Sequence, residues 1–183
     1  RLSEMMGEFG LDDLVELGAY IEDSSRAAVL AELAKLPNGV YHNTMRIDGY
    51  DAPLDLCAAV TVSDDGIHVD FDGTSPESRF GINVPLSYTT AYTCFGLSCI
   101  VAPDVPNNAG SLGLMSVSAP SGCILNAQKP AAVSSRHVVG QLLPDVVFGC
   151  LRQAAPERTP AEGTSCLYNI NMRGRSLGAN EAG

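Results

Sequence analysis

Between Leu36 and Gly39 the hydrophobic period of the chain changes from about 3.6 residues to two, and this switch limits the fold more than any other feature. Upstream, Leu11 to Leu36 reads as helix: Leu14, Leu17 and Ile21 share a stripe that Ala27, Leu30, Ala31 and Ala34 continue, with Asp12 and Asp13 at the positive end. Gly18 and Asp23-Ser24-Ser25 are soft spots, so one kinked helix and two shorter ones both remain open. Leu36-Pro37-Asn38-Gly39 ends it. Downstream, Val40 to Ile47, Leu54 to Val62 and Gly66 to Phe71 alternate as strands, and Asp64-Asp65-Gly66 marks a tight turn between the last two. The expectation is an α+β fold, an antiparallel sheet of short strands packed with a few helices.

The rest of the chain is loop-rich, as 18 glycines and 11 prolines require. Leu86 to Val101, bounded by Pro85 and Pro103, is long and apolar enough for a buried helix. Pro103 to Ser111 leaves little room for regular structure. Leu114 to Ala119 is a short strand, with Cys123-Ile124-Leu125 either its partner or an extended segment. A helix from about Arg136 to Ala155 turns Val139, Leu142, Leu143, Val146, Val147, Cys150 and Leu151 inward, and Pro144 kinks or restarts it. Residues 1–183 read as one domain: a helical lead-in over 1–36, a β-meander over 37–72, a loop-rich α/β part over 73–135, a helix over 136–160 and a tail or linker over 161–183. The ends suggest a central or C-terminal piece of a longer polypeptide.

Eleven basic residues against 21 acidic give a net charge of −10, with the basic ones scattered. Nucleic acid and anionic membrane surfaces are therefore poor partners, and no run approaches the roughly 20 apolar residues of a membrane span. Six cysteines include no C-x-x-C pair and sit partly within apolar runs, so they read as reduced thiols of a cytoplasmic protein.

The densest polar chemistry lies in Asp70 to Pro85, where Asp72, Thr74, Ser75 and Asn83 surround glycines and prolines. Such a loop offers backbone N–H groups and short side chains to a ligand, and it is equally how a tight turn is built. His68, Asp70 and Asp72 alternate on one strand face; without further marked ligands they read as a wet sheet face, with Asp72 capping the turn at Gly73. Ser134 and Ser135 before His137 read as helix caps, since no G-x-S-x-G elbow is present. Arg136 is suited to clamp a carboxylate or to tie loops together. His42 has no local partner, and neither a Walker A sequence nor G-x-G-x-x-G occurs.

Six motifs in order carry a resemblance: Leu36-Pro37-Asn38-Gly39-Val40-Tyr41; Val69-Asp70-Phe71-Asp72-Gly73-Thr74-Ser75-Pro76; Gly81-Ile82-Asn83-Val84-Pro85; Val105-Pro106-Asn107-Asn108-Ala109-Gly110; Ala119-Pro120-Ser121-Gly122-Cys123-Ile124-Leu125-Asn126; and Pro130-Ala131-Ala132-Val133 with Arg136. Together they resemble the hydantoinase B/oxoprolinase family. The resemblance implies the B-type portion of an ATP-dependent enzyme that opens a lactam or cyclic imide, with ATP and Mg²⁺ handled by a separate A-type subunit or domain. It implies a small cyclic amide substrate and the remainder of a longer B-type chain as a further partner. It also implies no cofactor or metal within this stretch, inactivity of the stretch alone, and a divalent metal, where relatives hold one, bound outside it. Asp72, Thr74, Ser75, Asn83, Asn107, Asn108 and Arg136 are the candidates to line or brace a site. The alternatives are a carboxylase subunit acting on a small ketone, or a structural or interface domain whose loops dock onto partners.

Overall fold

The computed structural model describes residues 1–165. The predicted tail beyond that point, and Cys166 with it, lies outside the described residues. Ten elements follow in order: α1 Leu2–Phe9, α2 Val15–Leu33, β1 Gly39–Ile47, β2 Leu54–Ser63, β3 Gly66–Asp70, α3 Leu86–Val101, α4 Ala109–Leu112, β4 Met115–Ser118, α5 His137–Gly140 and α6 Leu143–Leu151.

The four strands form one sheet in the order β1-β2-β3-β4. β1, β2 and β3 make the predicted antiparallel meander, with Met45 opposite Leu56 and Val60 opposite Val69. Period-two alternation decides which face is dry: Leu54, Leu56, Ala58, Val60 and Val62 of β2, with Ile67 and Val69 of β3, are buried. Phe71 continues that face just beyond β3. α3 and α6 pack on one another, α6 lies against β1 and β2, and α3 reaches β4, so the core lies between sheet and helices. All seven residues predicted to face inward from Val139 to Leu151 are buried.

Several expectations are corrected. The α+β architecture and a mostly antiparallel sheet are as expected, but one pair departs from it: β4 runs parallel to β3, with Val69 opposite Val117. The connection between them carries α3, and a helical crossover returns a chain parallel to the strand it left. Gly66 serves this junction through close approach, since a Cβ there would fall 2.6 Å from the Leu114 carbonyl oxygen. Cys123 does not pair with β4; it makes a single bridge to Pro76. Pro103 to Ser111 contains the short helix α4, whose Asn108 side chain accepts from Ser111 N–H at 3.1 Å while Ser111 Oγ accepts from Asn108 N–H at 3.0 Å. The helical span from Arg136 is two helices, with Pro144 in the first turn of the second, where its missing N–H costs nothing. No serine side chain caps α5.

The first helix differs most. α1 is an additional element that periodicity does not mark, and α2 runs unbroken through Gly18 and Ser24. Its buried residues are Ser25, Val29 and Leu33 rather than the predicted stripe, because the body meets this helix through α4 and α3 on another side. Gly110 makes that contact, since any Cβ there would collide with the Glu22 carbonyl. Leu17 and Ile21 remain 41% and 46% exposed.

Candidate functional site

The polar loop after β3 is held by its own side chains. Gly73, at φ 81°, turns the chain, and Thr74 N–H closes the turn on Phe71 carbonyl at 3.2 Å. Asp72 does not cap this turn; it is exposed. Thr74 Oγ1 accepts from Cys57 N–H at 3.0 Å and donates to Cys57 carbonyl at 3.1 Å, while Ser75 Oγ accepts from Asp55 N–H at 2.8 Å. The loop thus borrows the free edge positions of β2 beyond the end of β3. Asn83 is fully buried. Its Oδ1 accepts from Ser78 N–H at 2.7 Å, and Nδ2 donates to the carbonyls of Ser78 at 2.7 Å, Phe80 at 3.0 Å and Ala132 at 3.0 Å. One amide therefore closes the loop on itself and joins it to the passage before α5.

The other predicted residues divide the same way. Asn108 caps α4 and donates from Nδ2 to Ser25 Oγ at 2.7 Å, fastening α4 to α2. Asn107 is exposed beside it. Arg136 is exposed, donating to Val133 carbonyl at 3.3 Å, with its guanidinium 5.7 Å from the centre of the Tyr88 ring. Tyr88 in turn stacks on Tyr92 at 4.5 Å, and burial, with the Tyr92 hydrogen bond behind it, pushes the Tyr88 hydroxyl up to about 12. Thr74, Ser75, Asn83 and Asn108 thus brace backbone, whereas Asp72, Asn107 and Arg136 face outward. The structure does not bring the seven into one cavity.

His68 sits between Ser116 Oγ, 2.8 Å from Nδ1, and Ser118 Oγ, 3.0 Å from Nε2, and Ser118 donates to Asp70 Oδ1 at 2.8 Å. The alternate polar residues of β3 are therefore tied to those of β4, a ladder that parallel pairing alone creates. Among the described residues no group of three or more His, Cys, Asp or Glu side chains is placed to hold a metal ion. Five free cysteines are described; Cys94, Cys123 and Cys150 are buried, Cys57 is half-buried and Cys99 is exposed.

The concavity with the chemistry of a small-molecule site lies one residue from Asn83. A pocket of about 490 Å³ is lined by Met45 and Ile47 of β1, by Ile82, and by Val138, Val139 and Leu142 at α5 and the start of α6. That volume and apolar floor suit a small organic ligand. Its polar rim is carboxylate-rich, with Asp48, Asp145 and Glu162 beside Tyr50 and Thr164. Arg46 also borders it, but its guanidinium is committed to Asp55 through two bonds of 2.7 Å, which holds that carboxyl below its usual range. The rim accepts hydrogen bonds more than it donates them.

The braced loop shapes one wall of this pocket. Tyr50, in the β1–β2 connection, meets Phe80 at 5.2 Å between ring centres; Arg79 lies over the Phe80 ring at 4.8 Å and pairs with Asp51 at 3.2 Å. Asn83 bonds the carbonyl of the same Phe80. Sequence reasoning missed Asp48, Tyr50 and Asp145. The signals were an acidic, glycine-bearing turn holding a tyrosine between two strands and an aspartate directly after Pro144.

The sequence model of the hydantoinase B/oxoprolinase family matches residues 1–181. An uncharacterized protein of Methanocaldococcus jannaschii is 32% identical over 176 residues, covering 96% of this chain and 31% of that protein. The putative B-type subunit of a D-/L-hydantoinase from a Pseudomonas species is 29% identical, covering 96% of this chain and 32% of its own length. The chain thus spans about a third of the length of these relatives. The ATP-dependent caprolactamase from Pseudomonas jessenii superposes with a TM-score of 0.77 at 28% identity, over 86% of this chain and 28% of that one. No helix of the described residues is long and apolar enough to cross a membrane.

Proposed function

Because the chain belongs to the hydantoinase B/oxoprolinase family, we propose that it is the B-type portion of a cytoplasmic, ATP-dependent hydrolase of small cyclic amides, working with an A-type partner that handles ATP. The observation that carries the reading is the likeness in both sequence and fold to the ATP-dependent caprolactamase, a protein named for its action on a lactam. The pocket chemistry is consistent with it. Methylene groups of a ring fit the floor of Met45, Ile47, Ile82, Val139 and Leu142, and an amide N–H has acceptors in Asp48 and Asp145. In this reading the partner moves the terminal phosphoryl group of ATP onto the amide oxygen, which makes the carbonyl carbon electrophilic; water adds there, the C–N bond breaks with the nitrogen leaving as the amine, and the acyl phosphate that remains is hydrolysed to carboxylate and phosphate. In this reading the stretch acts only together with the remainder of a B-type chain and the A-type partner.

The test is lactam-dependent ATP turnover in the assembled enzyme. Asp145→Asn and Ile82→Ser are expected to raise KM several-fold, with a smaller change in the ATP turnover that occurs without lactam. Folded variants with wild-type KM for every cyclic amide tried would remove the pocket from the reading.

A further inference from the structure

The pocket lined by Ile82 has a property that its apolar floor does not require: its rim carries charge of one sign. Among the described residues Arg46 is the one basic residue that borders it. Period-two alternation along β1 leaves Met45 and Ile47 half-buried and turns the exposed Arg46 to the other face of the sheet. There Arg46 stands directly opposite Asp55 in the β1–β2 register, and the two bonds of 2.7 Å between them close the pair on itself. The cation is neutralised where it stands, away from the floor.

The carboxylates of the rim are not offset in this way. Asp48 follows β1, and Asp145 lies in the first turn of α6, where it is half-buried. Neither has an ion pair among the described residues. Arginines of neighbouring segments are engaged elsewhere, Arg79 with Asp51 and Arg136 with the Val133 carbonyl and the Tyr88 ring. Glu162 adds a third carboxylate, but it also borders the adjoining depression that holds Arg152, so Asp48 and Asp145 carry the argument. The apolar floor makes the cavity a place for a ring, and the rim decides which ring. A ligand carboxylate meets like charges there with no cation to offset them, whereas a ligand ammonium meets two acceptors that no cation already occupies. We infer that the pocket selects its cyclic amide by charge, an amino-substituted cationic ring first, a neutral ring next and a carboxylate-bearing ring last. The inference rests on the cyclic-amide reading and narrows it to a substrate class. Two carboxylates within about 8 Å of the ligand charge, at a water-like dielectric, make about five- to ten-fold between successive members of that order at low ionic strength.

Lactam-dependent ATP turnover of the assembled enzyme tests the order with rings of matched size. At low salt, kcat/KM should fall about five- to ten-fold from α-amino-ε-caprolactam to caprolactam, and again from γ-butyrolactam to pyroglutamate, through KM. Both gaps should shrink below about two-fold near 1 M salt, where screening is nearly complete at this range. Asp48→Lys, at an exposed position, should close both gaps, and the milder Asp48→Asn should about halve them on a logarithmic scale. Pyroglutamate turned over as well as γ-butyrolactam, or gaps that neither salt nor Asp48→Lys moves, would overturn the charge selection and leave the cyclic-amide reading standing. Turnover with none of the four rings would remove that reading, and the inference with it.

Discussion

Removing the Asn83 amide tests whether the polar loop is scaffold. Asn83→Ala deletes four hydrogen bonds at a fully buried position and leaves Ser78 N–H and the carbonyls of Ser78, Phe80 and Ala132 without their partner. At about 1–1.5 kcal/mol net per neutral bond, four losses sum to about 4–6 kcal/mol if none is recovered. Ala132 is exposed, so water recovers its carbonyl, and the expected cost is about 3–4 kcal/mol. For a chain of this size that is about 10 °C in Tm. Urea unfolding followed by circular dichroism measures it, with a lower midpoint and an unchanged slope. Asn107→Ala, its exposed counterpart in the next loop, should stay within about 0.5 kcal/mol. A loss below about 1 kcal/mol for Asn83→Ala would refute the bracing role, because four short bonds cannot then be contributing.

Thr74→Val removes both bonds to Cys57 and is expected to cost about 2 kcal/mol in the same assay. Gly110→Ala drives a methyl into the Glu22 carbonyl and should cost about 1–3 kcal/mol; native-state hydrogen exchange should speed up in α4 and the adjoining turns of α2 before the sheet. Alkaline pH should also destabilise the fold. Burial pushes the Cys150 thiol up to about 12 and raises those of Cys94 and Cys123, while Tyr88 is likewise pushed up to about 12. Each proton stays on the folded protein after the unfolded chain has released it, so the unfolded state binds fewer protons and stability falls with pH. Urea midpoints should hold up to about pH 9, the ordinary thiol value, and fall from there toward pH 12; a flat profile would contradict the burial of these groups.

The elements that local pattern governs are legible in the sequence. β1 to β3 begin and end within one residue of the alternation, and α3 occupies the predicted Leu86–Val101, because the flanking prolines and glycines leave those segments few choices. What cannot be read there depends on contacts distant in sequence. The parallel seat of β4 follows from the crossover, and with it the hydroxyl partners of His68, 48 and 50 positions away. α4 is a single turn whose cap lies inside a proline-rich passage, where composition points to loop. The inward face of α2 escapes periodicity because Ser25, Val29 and Leu33 are no more apolar than the opposite stripe; packing against α4 selects between them. Of the seven candidate residues, side-chain type identifies polar importance but not direction, since the same Asn, Thr or Ser can present itself to a ligand or return to its own backbone.

That second outcome still bears on the site. A loop that spends Thr74 and Asn83 on backbone leaves little of either for a substrate, but it can hold a wall in place. Asn83 fixes the Phe80 carbonyl, the Phe80 ring meets Tyr50 and carries Arg79, and Arg79 reaches Asp51, so the β1–β2 connection is anchored through one buried amide. Ile82, which enters the pocket, lies between Phe80 and Asn83 in sequence. A side chain at such a position tolerates little displacement before binding suffers. Loosening the anchor without unfolding the chain should therefore change affinity for a pocket ligand while the pocket's own residues remain intact. Arg79→Ala is the milder perturbation for this purpose: its side chain is 74% exposed and its loss costs the fold little, yet it releases both Asp51 and the face of Phe80. If Arg79→Ala leaves KM unchanged in an assembly where Ile82→Ser raises it, the wall is held by the sheet rather than by the loop.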